Sequence, residues 1–174
     1  IAKSSLTKSR AKQKLMSEIK IELQPSEAGQ RTLLNGEDVS KEIRTAQVTK
    51  LASPVAAVGI VREKLVDQQR ELGKQGGVVM DGRDIGTVVF PNADLKLYMH
   101  ASIEARAARR TKELIAVGEQ VTVEEIAKRI ADRDDFDSNR EISPLRKADD
   151  AQVIDTSDIS IEDQTNIVID LAKN

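Results

Sequence analysis

From about residue 59 to the end, short apolar stretches alternate with longer runs of helical period, and no other feature constrains the fold as much. Strand–helix–strand order requires crossover connections, so it predicts an α/β body built on a parallel sheet. The strand candidates are Val78-Val79-Met80, Asp94-Leu95-Lys96-Leu97-Tyr98-Met99 and Val153-Ile154. Helical spacing joins Val48, Leu51, Val55 and Val58, then Val61, Leu65 and Leu72, with Pro54 expected to start or bend a helix and Gly76-Gly77 to stop the run. Three capping signals follow. Ser102-Ile103-Glu104-Ala105 opens a helix to about Val117, ended by Gly118. Thr122-Val123-Glu124-Glu125 opens another that runs into Arg129-Ile130-Ala131-Asp132-Arg133. Ser160-Ile161-Glu162-Asp163 opens the last, to about Ala172.

The first third is patterned differently. Residues 3–17 are rich in Lys and Ser with sparse apolar positions and read as a marginal surface helix. Glu18-Ile19-Lys20-Ile21-Glu22-Leu23 alternates strictly, as a half-buried strand does. Gln24-Pro25-Ser26-Glu27-Ala28-Gly29 is a turn-rich break, and Arg31-Thr32-Leu33-Leu34 before Asn35-Gly36 reads as a second strand ending in a tight turn. Residues 18–39 are thus expected to form a small antiparallel hairpin.

Composition removes several function classes. With two Phe, one Tyr and no Trp, the core must be aliphatic. The absence of Cys excludes disulfides, thiolate metal sites and a cysteine nucleophile, and one histidine, His100, excludes a multi-His metal site. His100 follows an apolar strand and reads as structural. A net charge of −2 supplies no global basic field, so no nucleic-acid partner is expected. No run approaches the roughly 18 apolar residues of a membrane helix, and the opening Ile1-Ala2-Lys3-Ser4-Ser5 has no hydrophobic block, so a cytoplasmic protein without a membrane partner is expected.

Two clusters could carry chemistry. Met80-Asp81-Gly82-Arg83-Asp84-Ile85-Gly86-Thr87 follows a candidate strand, where open α/β sheets place ligands. An arginine there can hold a phosphate through two N–H groups, and an aspartate can accept from a base amino group. The same residues also suit a plain Asp-Gly turn with solvated charges. The second cluster is Arg129, Arg133, Asp134, Asp135, Asp137, Asn139 and Arg140. Its Asp135-Phe136-Asp137-Ser138-Asn139 resembles a calcium loop but has Arg140 where glycine is required and Arg146 where the bidentate glutamate belongs. What remains is either an ion-pair network on a solvated helix or an arm whose arginines close over phosphates. Arg106, Arg109 and Arg110 form a further patch, explained by the helix dipole. No Gly-x-x-x-x-Gly-Lys-Ser/Thr loop and no Gly-x-Gly-x-x-Gly after a strand occurs in the 174 residues.

Val79-Met80-Asp81-Gly82-Arg83-Asp84-Ile85-Gly86-Thr87-Val88-Val89-Phe90-Pro91 resembles the bacterial cytidylate (CMP) kinases. The resemblance extends through Gly36-Glu37-Asp38-Val39-Ser40, Glu42-Ile43-Arg44-Thr45, Ala52-Ser53-Pro54-Val55-Ala56-Ala57 and Val61-Arg62-Glu63, and on through Arg133-Asp134-Asp135-Phe136-Asp137-Ser138-Asn139-Arg140-Glu141-Ile142-Ser143-Pro144-Leu145. It implies an α/β nucleoside-monophosphate kinase of the P-loop class. Such a protein has a parallel sheet with helices on both faces, a small antiparallel monophosphate-binding insert and an arginine-rich lid. By that resemblance residues 1–58 hold the insert and its flanking helices, 59–174 the core, and about 118–142 the lid.

The implied reaction moves the γ-phosphoryl of ATP, with Mg2+, to CMP or dCMP. The implied partners are those small molecules, and the intact enzyme is expected to be a monomer. By motif, Ser53, Arg62 and Asp84 match residues that recognise the cytosine edge, and Arg83 and Arg140 match phosphate ligands. Arg133 and Asp137 match a pair that engages the ribose and helps close the site, and Arg44 matches a support of the monophosphate site. The family's N-terminal strand, phosphate loop and first helix correspond to nothing in these residues. The chain by itself is therefore expected to be inactive, the alternative being a non-catalytic pyrimidine-monophosphate-binding module or an inactive fragment without a phosphate loop, which could self-associate.

Overall fold

The computed structural model describes residues 14–27 and 29–173, which divide between two compact units, Ile1–Val79 and Met80–Asn174. Residues 14–18 are helical; the rest of the surface helix expected over 3–17 lies outside the described residues.

In the first unit, β1 (Ile21–Ser26), β2 (Gly29–Leu34) and β3 (Glu37–Asp38) form an antiparallel sheet in the order β1-β2-β3. The break expected at Gln24-Pro25-Ser26 is strand instead, with Pro25 opposite Gln30 and Ser26 opposite Gly29. Pro25 is tolerated because β1 is an outer strand, where a missing N–H forfeits no ladder bond. The Asn35-Gly36 turn is as expected: φ is 51° and 88°, the left-handed pair a two-residue hairpin needs, and it joins Leu34 to its partner Glu37. That turn adds β3, a third strand too short to show in the sequence.

Beyond β3 a hydrogen-bonded chain fixes the next turn. Asp38 accepts from the Ser40 backbone N–H at 3.0 Å and from Arg31 Nε at 2.8 Å, and the Ser40 hydroxyl accepts from Thr32 N–H at 2.8 Å. The Ser40 hydroxyl and N–H, then Arg31, hold the Asp38 carboxyl well below the usual carboxylate range. A depressed native value stabilises the fold above the ordinary carboxylate pKa, and that contribution is lost only as pH falls through the lower native value. Helices α1 (Ala46–Ala56) and α2 (Gly59–Gly73) follow, with Pro54 inside the last turn of α1 and Thr45 capping its start. Gln68 of α2 donates to the Ile19 carbonyl at 3.2 Å, and Met16, Leu33 and Val66 are the unit's buried apolar residues.

In the second unit, β4 (Leu97–His100) and β5 (Gln152–Asp155) pair in parallel, Leu97 opposite Gln152 and His100 opposite Asp155. Helices α3 (Ile103–Ala116), α4 (Val123–Asn139) and α5 (Ile161–Lys173) complete it. Each starts where its cap predicts. Ser102 accepts from Ala105 N–H, Thr122 and Glu125 form a reciprocal capping box, and Ser160 accepts from Asp163 N–H at 3.0 Å. Ala107 and Leu114 of α3 pack with Ile126 of α4 into a buried aliphatic cluster flanked by Val121, Ala127 and Ile130.

The strand expected at Val78-Val79-Met80 does not form: no ladder partner for it exists among the described residues, and Val79 is 98% exposed. Apolar β-branched residues favour an extended backbone, but a strand exists only through its hydrogen-bonded neighbour. No helix among the described residues is long and apolar enough to cross a membrane.

Candidate active site

The loop after residue 80 tightens into a single π-type turn, Ile85–Val89. Its backbone is gathered on Asp84, whose carbonyl accepts from Val88 N–H at 2.8 Å and Val89 N–H at 3.3 Å. The Asp84 side chain does not cap this turn, and the residue is only 3% exposed.

Asp137, near the end of α4, is the centre of the second cluster and is 1% exposed. Arg83 Nε donates to its Oδ2 at 3.2 Å, Arg133 Nε lies 3.8 Å from the same oxygen, and Arg140 Nη1 lies 3.7 Å from Oδ1. Arg140 is itself enclosed and donates from Nε to the Ser143 carbonyl at 2.6 Å, while Leu145 N–H donates to the Asp137 carbonyl at 2.7 Å. Local spacing explains two of these contacts: Arg133 sits one turn back on the same face of α4 as Asp137, and Arg140 is the residue that caps the helix end three positions on. The third, from Arg83, crosses 54 residues of chain.

This cluster places three guanidiniums around one buried carboxylate. Arg83 and Arg133 keep nearly half of their side-chain surface in solvent. A carboxylate that fixes the arginines while leaving them in excess makes a pre-organised anion site, and the guanidinium fork suits phosphate oxygens. Within this unit Arg83 of the first sequence cluster therefore meets Arg133, Asp137 and Arg140 of the second, with Asp84 adjacent in the chain to Arg83. Of the first-unit residues, Arg62 is 7% exposed on α2, Ser53 is half-buried on α1, and Arg44 follows the Asp38 turn, its Nη1 donating to the Ser40 carbonyl at 2.5 Å.

The Arg106–Arg110 patch is structural, for a reason other than the helix dipole. Because α3 continues to Ala116, these residues are not in its last turn. Arg106 donates to the Ala101 carbonyl at 3.1 Å and pairs with Asp134 at 2.7 Å, and Arg109 holds the Thr156 and Ser157 carbonyls after β5. Sequence reasoning missed Lys96, whose side chain is 8% exposed and hydrogen-bonds to Asp150. The one signal was a lysine between Leu95 and Leu97 in a strand otherwise bound for the interior.

Residues 2–174 match the family model for cytidylate kinase. The chain belongs to the cytidylate kinase family. It is 49% identical over 163 residues to the cytidylate kinase of Flavobacterium psychrophilum, covering 92% of this chain and 72% of that one. It is 51% identical to the Geobacillus cytidylate kinase, covering 87% and 67%, and 49% identical to that of Bacteroides fragilis, covering 84% and 64%. The chain thus spans about two thirds of the length of these cytidylate kinases.

Proposed function

We propose that this chain belongs to a kinase that transfers the γ-phosphoryl of ATP to CMP or dCMP, giving ADP and the nucleoside diphosphate. The observation that carries the reading is the Asp137 cluster, an arginine-rich anion site joined through Arg83 to the buried Asp84. Arg83 and Arg140 take the acceptor's phosphate oxygens. Arg133 and Asp137 engage the ribose and close the site. Asp84 accepts from the cytosine amino group, with Ser53 and Arg62 completing the recognition of the base edge and Arg44 supporting the monophosphate. The roles of Ser53, Arg62 and Arg44 rest on the motif match alone.

Such residues suffice because phosphoryl transfer needs positioning and neutralisation of oxygen charge more than a covalent group. Arginines stay charged throughout, and desolvation strengthens their pull as the site closes. ATP is the donor. Magnesium would accompany its phosphates, held by the phosphate oxygens themselves; among the described residues no three His, Cys, Asp or Glu side chains gather into a cation cage.

The test is ADP release from ATP and Mg2+ in the presence of CMP, with UMP and AMP as controls, alongside calorimetric titration of CMP. CMP-dependent turnover establishes the kinase; binding without turnover means that these residues hold the acceptor site but not the donor site. Neither binding nor turnover refutes both. Arg83→Ala is expected to weaken CMP binding at least tenfold, because it removes a charge-assisted contact of roughly 1.5–3 kcal/mol. Unchanged affinity in the same titration would take Arg83 out of the phosphate site.

A further inference from the structure

Lys96 sits at the foot of β4, and its Nζ donates to the Pro91 carbonyl at 2.5 Å and to both Asp150 oxygens at 2.9 and 2.7 Å. Three directed bonds use all three protons of the ammonium, leaving a nearly enclosed charge with no unmet donor. Its aliphatic stem is equally engaged. A Cβ placed on Gly86 would lie 3.3 Å from Lys96 Cδ, 3.6 Å from Cγ and 3.7 Å from the Ala148 Cβ, so the turn backbone at Gly86 faces this side chain closely enough that a larger residue there would press on it.

Gly86 lies in the first half of the Ile85–Val89 turn and Pro91 two residues beyond its end, and Asp84 is the residue on which that turn closes. One side chain therefore supports the start of the turn through its stem and holds the far end through its ammonium. The same ammonium is tied to Asp150, just ahead of β5, and the Lys96 carbonyl accepts from Gln152 N–H at 3.0 Å. The Lys96 bonds hold the Asp150 carboxyl below the usual carboxylate range, as a persistent charge-assisted contact requires.

We infer that Lys96 is a positioning residue for base selection: with Asp150 it locks the 84–91 turn so that the Asp84 carboxylate is held at the acceptor's cytosine edge. The inference rests on the proposed role of Asp84. An aliphatic residue could cover the same stem contact, so packing against Gly86 alone does not require a lysine. What the ammonium adds is direction, since it pins the Pro91 carbonyl where an apolar side chain could not. Positioning of this kind matters because a shift of about 1 Å in a recognition group costs orders of magnitude.

The test titrates CMP and UMP into the parent chain and into folded Lys96→Met, which keeps the stem against Gly86 and removes the ammonium. Asp150→Asn serves as a second variant because Asp150 is two-thirds exposed and its change leaves the packing intact. Far-UV circular dichroism and melting curves confirm folding, and Asp150→Asn carries the test should Lys96→Met not fold. Lys96→Met is expected to lose at least tenfold in CMP affinity with little change for UMP, and Asp150→Asn a few-fold in the same sense. Parental CMP selectivity in the folded variants overturns the inference, and so does equal weakening of both nucleotides, which signals general loosening. Absence of CMP binding by the parent chain instead overturns the function on which it rests.

Discussion

Replacing Asp137 by Ala is expected to damage stability and binding together, with the largest effect of any single change in this chain. Its carboxylate is buried and lies within 4 Å of three guanidiniums, one of which, Arg140, is itself enclosed. Removing one partner of a buried ion cluster leaves uncompensated charge in a poorly solvated site, a loss of roughly 3–5 kcal/mol. For a chain of this size that lowers the melting temperature by on the order of 10 °C. The arginines would also repel one another and lose their common anchor. Displacing two phosphate contacts, each of roughly 1.5–3 kcal/mol, predicts CMP binding weaker by at least about a hundredfold. Asp137→Asn keeps the side-chain oxygen but not the charge and should fall between. Thermal unfolding and CMP titration on the same samples check both effects. A melting temperature within a degree of the parent would mean that Asp137 does not hold the cluster together.

The second large effect is one of choice between substrates. Asp84→Asn should weaken CMP by about ten- to a hundredfold, since a neutral amide accepts from the cytosine amino group less strongly than a carboxylate. The amide can turn its N–H₂ outward and donate to the carbonyl that uracil carries at that position, so UMP should bind better than to the parent. A carboxylate facing that carbonyl leaves two acceptors opposed and unpaired, which is how such a site rejects the wrong base. Paired titrations of CMP and UMP read the ratio directly. An unchanged ratio would remove Asp84 from the base edge and, with it, the chemical account of selectivity.

Legibility followed the range of the interaction involved. Ser102, Thr122 and Ser160 each cap the helix they announce, because a cap joins a side chain to a backbone N–H within one turn. Asn35-Gly36 was readable for a similar reason: both residues tolerate the left-handed backbone of a two-residue turn. Val78-Val79-Met80 was misread because its extended pattern is local while the partner that makes a strand is not. Pro25 misled in the opposite direction. Its ring argues for a break, and only its place on an outer strand shows why the ladder continues through it. In the site, Arg133 and Arg140 lie four and three residues from Asp137, close enough in the chain for their meeting to be local. The contact from Arg83 to Asp137 and the support of the 84–91 turn by Lys96 and Asp150 bridge more than fifty residues, and no local period predicts them.

The sequence by itself determined the helices and their caps, the aliphatic core and the family to which the motifs belong. These follow from backbone propensity, side-chain period and residue identity, all of which act within a few positions of the chain. Only the tertiary structure decided which charges meet. It converted an ambiguous run of Arg and Asp into a cluster around one buried carboxylate. It also made the Arg106 and Arg109 patch a brace for loop carbonyls and turned an unremarked lysine into the support of the 84–91 turn. Coulombic and hydrogen-bonding partners are chosen by proximity in space, and burial sets how strongly they act, so neither can be read from order along the chain.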